Sequence, residues 1–270
     1  MLQRLTVPVL TLAVSLIGAS DPPRAHRVGR QAVFPGQEWA SIDAQTAGLR
    51  PERVEALRAT LRAGQTTGMT IVVSGRVVFE YGTTDEVSYI ASVRKTIISM
   101  LYGQYVTNGT IPLSRTLRAL HIDDTGGLLA PELGATVGDL LAARSGVYHP
   151  SANLGDASDR APARGSVEHG TYFLYNNWDF NVLGAVLERE TGRSVYDLFS
   201  TDIAAPIALQ DWNPAPGAYA HAVRNDTGLS KWPAHHFLWS TRDMARVGYL
   251  MLRKGAWNGR QVIPEAWVTE

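Results

Sequence analysis

The 270-residue sequence contains no cysteine, which excludes disulfide staples, thiolate nucleophiles and cysteine-based zinc sites. Lysine is scarce: Lys95, Lys231 and Lys254 stand alone among basic residues that are otherwise arginine. Neither sign of charge is in excess, with 25 basic against 25 acidic groups. Such a chain has no field to draw it onto phosphate backbones or anionic lipid, so nucleic acid is not expected as a partner. There is no histidine pair at H-x-x-x-H or H-x-H spacing, no G-x-S-x-G elbow and no phosphate-cradling glycine loop, so neither a metal centre nor a Ser-His-Asp hydrolase is indicated. Long apolar runs are missing too. The stretch Leu5 to Ile17, broken by Thr6, Pro8, Thr11 and Ser15, is short for a bilayer span.

What is present fits a globular protein, with 45% hydrophobic and 19% charged residues. Arg4, the apolar stretch and the small residues Gly18, Ala19 and Ser20 read as an export signal over residues 1–20. The mature protein is then expected to be periplasmic or secreted, without stable membrane insertion; an uncleaved anchor is the alternative reading. Residues 21–48, with Pro22, Pro23, Pro35 and Gly36, read as a linker or extended lead-in. A domain is expected over 49–270. It opens with a helix that has Pro51 at its first turn, a Val54–Leu57–Leu61 stripe and Gly64 at its end. Two apolar runs, Met69–Val73 and Val77–Tyr81, flank Ser74-Gly75-Arg76 and predict a β-hairpin. From Ser92 the period becomes helical up to Asn108-Gly109. Thr136 with Asp139, Ser194 with Asp197 and Ser240 with Asp243 each predict a capping box. One more helix is expected from about Phe180 to Gly192, and another from Pro264. The segment from Gly146 to Tyr172 reads as a long functional loop.

Two short motifs could carry chemistry. In Ser92-Val93-Arg94-Lys95, a hydroxyl and an amine share one helix face. The amine could take the serine proton if burial or nearby charge left part of it neutral. A capping serine followed by a solvated lysine is the plainer reading of the same four residues. In Tyr175-Asn176-Asn177, a phenol and a carboxamide two residues apart in a turn can point into one cleft; an aromatic packed at a helix start is the alternative.

In this order and at this separation, the two motifs resemble the serine β-lactamase and penicillin-binding family. The likeness is greatest to its class C β-lactamase, D-alanyl-D-alanine carboxypeptidase, esterase and 6-aminohexanoate-oligomer hydrolase branch, and "LLAARSGVYH", "STRDMARVGYLML" and "GAWNGRQVIPEAW" add to it. The resemblance implies an α/β fold of the β-lactamase/transpeptidase type with an inserted helical subdomain. It implies Ser92 as nucleophile, Lys95 as base, Tyr175 as proton relay and Asn177 as a substrate and lysine contact. Tyr148 and His149 fall at a rim over the cleft. The substrate would be a small ester, amide or β-lactam, with no cofactor and no metal. The family's K-T-G or H-x-G motif is absent from these 270 residues. The reading therefore expects a chain that stops before the last sheet strands and is impaired in catalysis; a non-catalytic protein binding peptides or cell-wall fragments is the alternative.

Overall fold

The computed structural model describes residues 32–153, 155–214 and 225–270; the expected export signal lies outside them. Helix α1 (Pro51–Ala63) starts on its proline and lays its apolar side against the hairpin of β1 (Gly68–Val73) and β2 (Arg76–Gly82). Leu61, Val78 and Phe79 form a small core between them. The hairpin turn is Ser74-Gly75, both with positive φ, at 51° and 80°. This is the two-residue geometry whose twist matches that of paired strands. A side chain at Gly75 would lie 1.7 Å from the carbonyl oxygen of Val33, so glycine is required there for closeness as well as for its backbone angle. The lead-in runs beside β2: Ile42 N–H donates to Val77 O, and Val77 N–H to Ala40 O.

The main core is helical. Helix α2 (Arg94–Thr107) is buried almost all round, with Ile97, Ile98, Leu101 and Tyr102 at 2% exposure or less; such a helix belongs in the centre of a domain. Against it lie α4 (Trp178–Thr191) and α5 (Val195–Phe199), contributing Val182, Leu183, Leu198 and Phe199 to one cluster. The short α3 (Val137–Leu141) packs on α4. Helix α7 (Glu265–Thr269) docks on α2, its Trp267 Nε1 donating to Ser99 O. Helix α6 (Thr241–Leu252) covers β1. Buried Arg246 of α6 donates to the carbonyls of Gly36, Gln37 and Ile207, which ties the lead-in to the domain.

Two details depart from the sequence-based expectation. The reciprocal capping box is complete only at Thr136–Asp139. At Ser240 the hydroxyl caps α6, but the Asp243 carboxylate turns away and accepts from the N–H groups of Gln210 and Asp211; bridging two free donors of another segment outweighs closing its own box. Strands also occur where the pattern gave no signal. β3 (Ser88–Tyr89) pairs with β4 (Leu238–Trp239), and β5 (Ala256–Trp257) with β6 (Arg260–Gln261). Pairs of two residues are too short to show a period of two.

Candidate active site

The β3–β4 pair positions the centre. Beyond it, Ile90 N–H donates to Phe237 O, and stacked rings of Phe199 and Trp239 hold β4 in the core. Ala91 then adopts φ 46°, the left-handed region that a non-glycine residue enters at a cost of roughly 1–2 kcal/mol. This reversal starts a 3-10 turn, Ala91–Val93, which runs directly into α2. Ser92 thus sits in the turn before the helix proper. Val93 faces solvent at 45% exposure, while Arg94 and Lys95 point inward at 1% and 8%.

Four residues singled out from sequence converge here. Lys95 Nζ lies 3.4 Å from Ser92 Oγ, 3.2 Å from Tyr175 Oη and 2.5 Å from Asn177 Oδ1. The Tyr175 ring lies beside the amine, 4.6 Å from nitrogen to ring centroid. Burial lowers the Lys95 pKa to about 8, with the neighbouring Arg94 charge adding to the effect and Asp156 opposing it. At pH 7 roughly a tenth of the amines are then neutral, against well under a thousandth for an ordinary lysine.

The second motif is built as firmly. Asn177 stands at the start of α4 without capping it; its Nδ2 donates to Asn153 O and its backbone N–H to Asp156 Oδ2, so its carbonyl end faces the lysine. Asn176 is held by Asp179, whose carboxylate accepts from Asn176 Nδ2 and from Ser145 Oγ. Asp179 is fully buried, and desolvation raises its pKa to about 7. The turn carrying Tyr175 is thereby tied to the Ser145-Gly146 loop.

Sequence reasoning missed Arg94, Asn181, Asn153 and Asp156. Arg94 Nη2 donates to Asn181 Oδ1 at 2.8 Å and to Asn177 Oδ1 at 3.3 Å. The one available signal was the i, i+4 spacing of Asn177 and Asn181. Tyr148 and His149 line a cavity of about 310 Å³ together with Asn153, Asp156, Ser158 and Asn176. The Tyr148 hydroxyl is buried there with no hydrogen-bond partner among the described residues. His149 turns inward instead, with its ring nitrogens 2.8 Å from the carbonyls of Thr125 and Pro150. Its ring thus braces the cavity wall against the backbone at Thr125.

No curated protein matches the chain in sequence. Among solved structures, it is similar to a Bacillus anthracis protein described as a candidate 6-aminohexanoate-dimer hydrolase, at 19% identity and a TM-score of 0.63, over 88% of this chain and 69% of that one. A penicillin-binding protein homologue from Caulobacter crescentus aligns at 15% identity and 0.56, over 86% and 76% of the two chains. A D-amino acid amidase from Ochrobactrum anthropi SV3 aligns at 15% and 0.57, over 81% and 74%. These likenesses show the fold: α/β, of the β-lactamase/transpeptidase type. The beta-lactamase family model matches residues 54–269, and the chain belongs to that family.

Proposed function

We propose that the protein is an exported serine hydrolase that cleaves small ester or amide substrates, β-lactams included, through an acyl-enzyme. Neutral Lys95 takes the Ser92 proton as Oγ attacks the carbonyl carbon, giving a tetrahedral intermediate. Free N–H groups at the start of the helical turn favour the developing oxyanion. Tyr175 Oη, in contact with the lysine, passes the proton to the departing amine or alcohol as the carbon–leaving-group bond breaks. Water then enters with its proton directed to the same pair, and the acid is released. Asn177 holds the lysine and offers its amide to the substrate. No cofactor takes part.

One observation carries the reading: a buried lysine within 3.4 Å of a serine hydroxyl and within 3.2 Å of a phenol. A labelled fluorophosphonate and a labelled penicillin test it on the full chain. Covalent labelling that vanishes in Ser92→Ala, with an unchanged melting curve, is expected. A well-folded chain that takes up neither reagent removes the hydrolase reading and leaves a binding protein on the same scaffold.

A further inference from the structure

We infer that Arg94 is a positioning residue for the base: its fixed charge, converging with the lysine on one amide oxygen in a buried site, favours loss of the Lys95 proton. The inference rests on Lys95 being the base of the acyl-transfer reading above.

The geometry is that of two cations and one acceptor. Asn177 Oδ1 receives both Lys95 Nζ and Arg94 Nη2. Sharing one oxygen keeps the two nitrogens under about 6 Å apart, where like charges repel appreciably at an interior dielectric. Among the described residues, no carboxylate forms an ion pair with either cation. The groups facing Arg94 are the phenols of Tyr89 on β3, Tyr175 before α4 and Tyr196 on α5. His236, before β4, is pushed down to about 4 by burial and by Arg94 and His235, so it stays neutral. Facing Lys95 are the rings of Tyr175 and Phe180, and the charge of Asp156 also acts on it. Asp156 attracts the proton, but its oxygens already accept from the N–H groups of Asn177 and Ser158 and from Ser151 Oγ. Its pull is weaker than the push of Arg94.

The chemistry of the two side chains decides which one gives way. Burial lowers Arg94 only to about 10, so it keeps its charge at neutral pH, whereas a buried lysine yields its proton readily. An arginine beside a lysine in this pocket therefore acts as a permanent bias on the lysine.

With three lysines in the chain, the test is direct. The full protein is labelled with ¹³C-lysine, the Cε signal of Lys95 is assigned through Lys95→Arg, and its titration is followed by NMR. Arg94→Gln, which keeps an N–H donor for Asn181, is expected to move the Lys95 midpoint up by about 0.5–2 pH units, the range that Coulomb's law gives at this separation. Asp156→Asn is expected to move it down. Charge alone predicts opposite signs, whereas loosening of the site would hydrate the lysine and raise both midpoints. An unmoved midpoint in Arg94→Gln, or a rise in both variants, overturns the inference; Arg94→Met is measured in the same way if the glutamine variant does not fold. The readout needs no turnover. An inert chain with these shifts would sink the hydrolase reading and leave only the charge effect of Arg94 on Lys95, and an active one without them would sink only the role of Arg94.

Discussion

Replacing Lys95 with methionine should make the protein more stable at neutral pH while abolishing acylation. The Lys95 amine falls from its ordinary 10.5 to about 8 in the fold. Between these values the unfolded chain binds the proton more firmly than the folded one, so stability rises with pH across the window and the full cost is present below about pH 8. A shift of this size corresponds to about 3.4 kcal/mol. Water in the cleft screens part of it, leaving about 2 kcal/mol. Methionine matches the lysine stem in shape and removes the charge. It forfeits the contacts to Ser92, Tyr175 and Asn177, but Tyr175 can turn to solvent and Asn177 Oδ1 keeps Arg94. A net gain of about 1–2 kcal/mol at pH 7 is expected, or some 2–4 °C in melting temperature per kcal/mol. Urea titrations of both proteins at pH 7 and pH 10 measure it. By pH 10 the underlying cost drops to about a quarter of its neutral value, so the gap should close. A methionine variant less stable than its parent at pH 7, or a gap that ignores pH, would refute the reasoning.

Tyr175→Phe keeps the ring beside the lysine and removes the hydroxyl; stopped-flow acylation with a chromogenic ester should slow by about 10²–10⁴-fold without a change in melting temperature, and a loss below tenfold would remove the relay. Gly103→Ala gains helix propensity of about 1 kcal/mol, yet its methyl would stand 2.7 Å from Trp267 Cδ1. A net loss of about 1–3 kcal/mol by chemical denaturation is expected, and it should shrink in the background of Trp267→Ala.

The sequence made local features legible and left distant ones hidden. Helices α1, α2 and α4 and the first hairpin followed from period, turn residues and glycine stops, all of which act within a few residues. Ser92, Lys95, Tyr175 and Asn177 were legible because two short motifs carry the family's spacing. Arg94 was not: in a helix buried almost all round, apolar pattern no longer tells which polar residue turns inward. Asn153 lies 28 residues from Asn181, and no local rule joins them. The turn of buried Asp243 away from its own helix start depends on donors at 210 and 211, and the φ reversal at Ala91 lies next to a strand whose partner is far along the chain.

That strand partner has a consequence for how the candidate site comes into being. The segment leading to Ser92 is held by residues 237–239, about 150 positions later. A growing chain that has delivered Ser92, Lys95 and Tyr175 still lacks the brace that aims them. Contacts this distant in sequence form late and slowly. Reactivity should therefore switch on abruptly near the end of folding, and a half-made molecule should present a serine no more reactive than that of a free peptide.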